Sequence, residues 1–438
     1  MLRRPPQGFV MLMGLGLSLV LGLVLLVLGL SSSLLSDKQR GQVLADAASL
    51  SVANWYAQAL NYQAYANRAI LANEVMMAQS LTALAWSKHA ETLVNNTGSF
   101  ASFLPALRVL AGWASQAAQA SRVSAELAAR TEIPIRSGYT RVLAASQEAM
   151  RLAVNPFATQ TLVNEVVWSG DRRFFGQYLP SSDVSAYYRL VKTYAGEERA
   201  PFANLVTGEL DSFTRARGYT QRLYLLPTTS CIPTSIDRLF HRMVRRGGTA
   251  LSADYSEWEA IDTLSAHQWR RRSWWNRTCG GHREAFPMAW GASDASVPVR
   301  PGVAAHGGSD INPSARSLAS GSSAAITGYL GLSAYRDLSQ TSPEQRKAAG
   351  AFRIPVLVRL PARNTLADRL FAQSSQSLTT QAMGSALWSL STAEVRFVDL
   401  QGQNLPNLFL PFWRVQRVSS SLADQAAALA VANARKEN

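Results

Sequence analysis

An uncharged run of 32 positions, Pro5 to Ser36, constrains this 438-residue chain more than any other feature. Inside it, the 22 residues Phe9 to Leu30 are almost wholly apolar. As a helix they cover about 33 Å at 1.5 Å per residue, which matches a bilayer core of about 30 Å. A cleavable secretory signal has a shorter apolar region, roughly 7–15 residues, followed by a small-residue cleavage site. The expectation is therefore an uncleaved, single-pass transmembrane helix. Arg3 and Arg4 flank it on one side; Lys38 and Arg40, with Asp37 and Asp46, flank it on the other. Basic residues set orientation and acidic ones count little. With so short a tail ahead of Phe9, the chain is expected to keep its N-terminus in the cytoplasm and its bulk outside. Gly14, Ser18 and Gly22 recur every four residues within the span. Such a stripe of small residues lets a second helix approach closely.

Composition narrows the class further. Lys+Arg total 43 against Asp+Glu 29, for a net charge of +14, yet only 16% of residues are charged. That is below the ~25% of ordinary soluble proteins and excludes a disordered polyelectrolyte. Only five of the basic residues are lysines: Lys38, Lys88, Lys192, Lys347 and Lys436. An Arg- and Ala-heavy, Lys-poor chain is what a GC-rich bacterial genome writes for any protein. Nucleic acid is therefore not an expected partner. A basic surface facing anionic lipid headgroups suits an anchored protein better.

Beyond the span, Gln42 to Thr97 contains neither Gly nor Pro over 56 residues. Nothing there stops a helix. A stem continuing from the membrane helix is expected, with a possible break at Ser31-Ser32-Ser33 and an end at Asn95-Asn96-Thr97-Gly98. Leu44, Ala48, Trp55, Tyr62 and Ile70 give it a loose apolar face, expected to pack on this same chain. Pro105 to Val154 reads as more helix, with Leu107, Leu110, Trp113 and Ala117 on one face and Pro134 dividing it. Ala158–Trp168 and Asp183–Tyr194 read as shorter helices. Strands are expected at Arg222–Leu226, Ile354–Leu360 and Glu394–Leu400, with Thr365–Leu390 helical in places and Ser419–Asn438 a helical or frayed tail. Gly291 to Ala325 is rich in Gly, Ser, Ala and Pro and reads as a flexible loop. The expected class is α+β. The expected serial division is leader and span 1–36, stem 37–97, helical region 98–220, and an α+β periplasmic domain 221–438.

No complete catalytic motif is legible. There is no Gly-x-Ser-x-Gly, His-Glu-x-x-His or phosphate loop, and an enzyme is not expected. Cys279 and His282 have a spacing that zinc sites use, but further ligands are scattered. Cys231 and Cys279 are the two cysteines, and outside the cytoplasm they are disulfide candidates. Trp269, Trp274 and Trp275 crowd together with Arg270, Arg271 and Arg272. Arg over indole forms cation–π contacts, and both residue types favour binding hot spots. That region is a candidate partner patch, set against the plain alternative of ordinary packing with solvated arginines.

Two blocks carry a family resemblance. The first is Ala45-Asp46-Ala47-Ala48-Ser49-Leu50-Ser51, then Leu60-Asn61-Tyr62 leading through Tyr65 to Asn67-Arg68-Ala69 and Ala72-Asn73. The second is Ala393-Glu394-Val395-Arg396-Phe397, then Asn407-Leu408-Phe409 and Pro411-Phe412-Trp413. Together they resemble the TadE/TadG-like family of Flp (tight adherence) pilus-assembly proteins. The blocks bracket nearly the whole chain; between about Asn95 and Ala351 the likeness is one of texture only. The Asp-x-Ser-x-Ser metal motif of some members is missing, since Asp294-Ala295-Ser296 continues with Val297-Pro298. Gly8-Phe9 after a basic leader is similar to a type IV prepilin cleavage site, with Met13 where Glu is usual.

The resemblance implies a non-catalytic, inner-membrane component of a pilus-assembly or secretion apparatus. Its implied partners are other pilus-assembly membrane proteins and the lipid bilayer, with no cofactor, metal or small-molecule substrate. Asp46, Asn61, Asn67, Arg68 and Asn73 are the family-like stem residues. The alternative is a membrane-tethered periplasmic binding module that uses the Trp/Arg region.

Overall fold

The computed structural model describes residues 7–101, 105–179, 190–224, 230–296, 302–339, 342–361, 364–365, 386–399 and 401–434. The fold is α+β. The helices are α1 (Gln7–Ala101), α2 (Pro105–Ala153), α3 (Pro156–Gly170), α4 (Ala200–Gly208), α5 (Ser212–Arg215), α6 (Pro313–Gly321), α7 (Pro343–Ala349) and α8 (Leu422–Ala434). The strands are β1 (Phe175–Tyr178), β2 (Val191–Tyr194), β3 (Ala216–Leu223), β4 (His241–Leu251), β5 (Glu257–Arg271) and β6 (Cys279–Ser296). They continue with β7 (Ala324–Ile326), β8 (Tyr335–Leu338), β9 (Ala351–Pro361), β10 (Ala386–Phe397) and β11 (Trp413–Val418).

The chain forms two compact units, each built from separated stretches rather than from the serial blocks expected from composition. One comprises residues 1–65, 148–192 and 337–438; the other comprises 66–147 and 193–336.

In the first unit an antiparallel sheet runs in the order β1-β9-β10-β11. Strand β9 alternates, as a strand covered on both faces must. Phe352, Ile354, Val356, Val358 and Leu360 join the core made with α1 and α3, whereas Leu357 meets Ala428 of α8 on the other face. On α1, Ala45, Ala48, Val52, Tyr56 and Leu60 are buried against that core, with Val163 and Val167 from α3. The Tyr56 ring lies 5.9 Å from that of Phe352, and its hydroxyl is 3.1 Å from that of Thr159. Polar ties hold α1 in register with the sheet: Gln42 donates to the Leu390 carbonyl at 3.2 Å, and the Ser49 and Ser391 hydroxyls meet at 3.1 Å. Ahead of this packed stretch, Met11 to Leu28 is exposed and apolar, long enough to cross a membrane.

In the second unit the sheet order is β3-β4-β5-β6-β7, antiparallel except for the β6–β7 pair. Residues of α1 from Ile70 to Leu84 are buried here at Ile70, Met77, Leu81 and Leu84. Contact with β6 is close: Ser293 donates to the Leu81 carbonyl at 2.8 Å, Thr92 donates to the Trp290 carbonyl at 2.7 Å, and Asn96 donates to that of Met288 at 2.8 Å. On the β5–β6 face, α6 packs through Ala319 against Ile261 and Ala292.

Several sequence expectations are corrected. Helix α1 does not break at Ser31–Ser33 and runs past Gly98 to Ala101. Pro134 does not divide α2. Its missing N–H costs one bond, but buried Ala129, Ile133 and Ser137 anchor the turns on both sides. Gly328, at φ +99°, brings its backbone against the proline ring, where a Cβ would sit 2.8 Å from Pro134. The stretch 291–325 is not a loop throughout: its described residues hold the end of β6, then α6 and the start of β7, with 297–301 outside the described residues. Its small residues serve close packing: Gly291 and Ser293 face α1 and Ala292 packs under α6, with Ala292, Ser293, Asp294 and Ala295 all buried. Val191–Tyr194 is strand β2 instead of a helix end, because residues 191–194 are extended. Residues 386–390 likewise belong to β10, held by backbone pairing to 357–361 of β9. The remainder of the helices expected over 183–190 and 365–385 lies almost wholly outside the described residues. The strand expected at 222–226 is the end of β3, with 225–226 outside the described residues.

The Gly291 contact yields a test. A Cβ there would lie 2.2 Å from the Ala85 carbonyl oxygen, whereas one on Gly281 meets nothing within 4 Å. Gly291→Ala is expected to destabilise the full chain by roughly 2–3 kcal/mol, the cost of overpacking against backbone, while Gly281→Ala leaves the denaturant midpoint in place.

Candidate functional site

The candidate site is the far end of the β5–β6 ribbon. Register between the strands slips after Arg270, so that Arg270 faces Gly281 and Arg271 faces Cys279. A tight turn closes the ribbon: Arg272 N–H donates to the Thr278 carbonyl at 2.9 Å and Ser273 N–H to that of Asn276 at 3.3 Å. Asn276 stabilises the turn, its side-chain oxygen accepting from Thr278 N–H at 3.0 Å and its own N–H donating to the Ser273 hydroxyl. Trp274 and Trp275 therefore occupy the apex, and they are 69% and 91% exposed.

Behind the apex the ribbon is braced. Cys231 and Cys279 form a disulfide. Ile232 N–H donates to the Arg277 carbonyl at 2.8 Å, and Arg238 donates to the Cys279 carbonyl at 3.0 Å. The Trp269 ring is flanked by two guanidinium groups, Arg238 at 5.2 Å and Arg242 at 4.9 Å, and meets the His282 ring edge-on at 5.4 Å. Trp269 is thus part of the brace, unlike the two apex indoles. Asp237 is already engaged by Arg222 and Arg242, and hydrogen bonding from Arg222 holds its carboxyl below the usual range. Glu284 is engaged too, by the Ser265 hydroxyl and by the Ser314 and Ala315 N–H groups at the start of α6.

The arginines at the tip have no such carboxylate. Between Thr263 and Arg283 lie five arginines and no acidic residue. Among the described residues none of the five makes an ion pair. Arg270, Arg271, Arg272, Trp274 and Arg283 line an open cleft of about 790 Å³, and the Arg271 guanidinium stacks 4.7 Å from the Trp274 ring.

The family-like stem residues do other work. Asp46 pairs with Arg417 at 3.0 Å. Asn61 clasps the Trp413 backbone, donating to its carbonyl at 2.9 Å and accepting from its N–H at 3.1 Å. Asn67 repeats this six residues on, donating to the Arg336 carbonyl at 2.5 Å and accepting from Gln147 at 2.9 Å. Asn73 turns back to its own helix, donating to Ala69, and accepts from Arg136 at 3.2 Å. Arg68 is exposed. Gly14 and Gly22 face open space, where an added Cβ meets nothing within 4 Å, and Ser18 bonds only its own helix at Leu15.

One buried group escaped the sequence reading. Glu74 accepts from Trp258 Nε1 at 3.1 Å and from the Tyr329 hydroxyl at 3.0 Å, both on one carboxylate oxygen, and its other oxygen has no partner. Burial raises its pKa to about 7, against the opposing pull of those hydrogen bonds and of Arg141 and Arg199. The signal was present: Glu74 sits four residues after Ile70 and three before Met77, on an otherwise apolar buried stripe.

No protein-family model, curated protein or solved structure matches the chain.

Two outcomes follow from this geometry. Glu74 holds its proton more tightly folded, near pH 7, than unfolded, near 4.5. Its contribution is most favourable below the unfolded value and declines as pH rises to about 7, by on the order of 3 kcal/mol. Glu74→Gln is expected to flatten the fall in unfolding midpoint between acid and alkaline buffer, measured on the full chain. Separately, the disulfide spans 48 positions, a closure worth roughly 3–4 kcal/mol by chain entropy. Replacing Cys231 and Cys279 with Ser is expected to lower the denaturant midpoint accordingly, and reductant should do the same to the parent chain.

Proposed function

We propose that the protein is a non-catalytic, membrane-anchored component of a Flp/Tad-type pilus-assembly or secretion apparatus, with its N-terminus cytoplasmic and its bulk periplasmic. The observation that carries this reading is the split character of α1. Its first part is a bare apolar surface, while the same helix from Leu44 onward is buried against strands. A helix that leaves apolar surface bare over most of five turns belongs in lipid or among other helices.

Two further features support the reading. The residues that resemble the TadE/TadG-like blocks join the two ends of the chain within one unit: Asn61 holds Trp413, and Asp46 holds Arg417. Helix α2 also leaves Leu110, Trp113, Leu127, Ile135 and Val142 exposed. That is apolar surface which a partner of the apparatus covers in this proposal.

The test combines topology with output. Alkaline phosphatase fused after Asn438 should be active in a bacterial host. The triple change Gly14→Leu, Ser18→Leu, Gly22→Leu should leave the protein level normal and abolish filaments, by removing the close-approach stripe. Normal filaments in a strain lacking the gene would sink the pilus reading. An inactive phosphatase fusion with an active cytoplasmic reporter would sink the topology.

A further inference from the structure

We infer that the tip of the β5–β6 ribbon docks onto an anionic lipid surface, with Trp274 and Trp275 entering the headgroup region and a collar of arginines engaging lipid phosphates. The argument rests on the order of chemistry along the ribbon. The most exposed groups are the two indoles at the apex. Cations come next: Arg272 and Arg277 immediately flank the turn, followed by Arg271 and Arg270 on β5 and Arg283 on β6. At about 3.3 Å per residue, Arg271 and Arg272 lie within roughly 10 Å of Trp274 along the strand and Arg270 within roughly 13 Å. Indole favours the interface between headgroups and acyl chains, and interfacial segments bury about 5–10 Å deep. An apolar tip seated there brings the collar to phosphate level, where guanidinium forms bidentate, charge-assisted hydrogen bonds.

Charge points the same way. The tip carries five arginines without a carboxylate of its own, because Asp237 and Glu284 are spent on other partners. The attraction is therefore available to an external anion. A soluble acidic polymer is the less favoured ligand. Such a chain stacks on open aromatic faces, and here one of the two apex rings, Trp274, already carries the Arg271 guanidinium. The bracing by the disulfide and by the Arg238–Trp269–Arg242 stack holds the ribbon in shape before contact, which reduces the ordering cost of docking.

This inference does not depend on the pilus reading, and its test makes no use of filaments. The full chain is placed in zwitterionic nanodiscs and presented to immobilised vesicles of phosphatidylcholine, with or without phosphatidylglycerol; empty nanodiscs are the blank. Binding to the phosphatidylglycerol vesicles is expected, with little to phosphatidylcholine alone and a decline as salt rises. Arg270→Gln, Arg271→Gln and Arg272→Gln together should weaken it on the order of 100-fold. Trp274→Ser with Trp275→Ser should weaken it about tenfold or more. The parent unfolding midpoint and an intact Cys231–Cys279 bond in each variant establish that the fold is retained. Equal binding to both vesicle types would overturn the inference, as would full affinity in the double Trp variant. Trp-dependent binding of polygalacturonate without vesicle binding would also overturn it, and assign the tip to a polymer.

Discussion

The close approach of α1 to strand backbones is the constraint from which the rest of the structure follows. In the first unit Ala45 and Ala48 put almost no side chain between helix and sheet, so Ser49 reaches Ser391 and Gln42 reaches a carbonyl of β10. In the second, the smallness sits on the strand instead: Gly291 leaves room for the Ala85 carbonyl, and Ser293 bonds that of Leu81. Helix and sheet then bury each other at a spacing that larger residues would forbid. The polar groups brought into this contact are costly unless paired, which is why the side chains there meet specific backbone partners.

Asn61 and Asn67 show how that pairing works. A side-chain amide offers N–H donors and a carbonyl acceptor side by side, the same kinds of group a neighbouring strand residue would offer. Asn61 presents both to Trp413. Asn67 meets both polar groups of the Arg336 backbone, its carbonyl at 2.5 Å and its N–H at 3.4 Å. The asparagines thus stand in for strand partners at positions where a helix crosses. Their six-residue spacing does not return to one helix face, and it does not need to, because each serves a different strand.

How much of this was legible follows from the range of the forces involved. The apolar run, the Gly- and Pro-free helix, α3 and the core of β9 are local patterns and were readable. So was the pairing of the only two cysteines as a candidate. What misled was composition whose cause lies far away in sequence. The Gly291–Ser296 stretch resembles a linker because glycine, alanine and serine serve both flexible loops and tight packing, and only the helices packed on it, α1 and α6, distinguish the two. Pro134 reads as a helix break because the buried residues that hold its helix together act through tertiary contacts. Within the Trp/Arg cluster, the sequence offered no way to separate Trp269, sandwiched between distant arginines, from Trp274 and Trp275 at the apex.

The way each unit is stitched from distant stretches also bears on how the protein is made. The core of the first unit needs Leu44 to Leu60 from α1, strand β9 near residue 355 and Trp413 near the far end. Contacts at that sequence separation are intrinsically slow to form. During synthesis the chain presents the apolar face of α1 long before β9 to β11 exist to cover it. Until those strands are made that face stays uncovered, a state open to aggregation. Truncations near the C-terminus are thus expected to fail as whole proteins rather than as shortened ones.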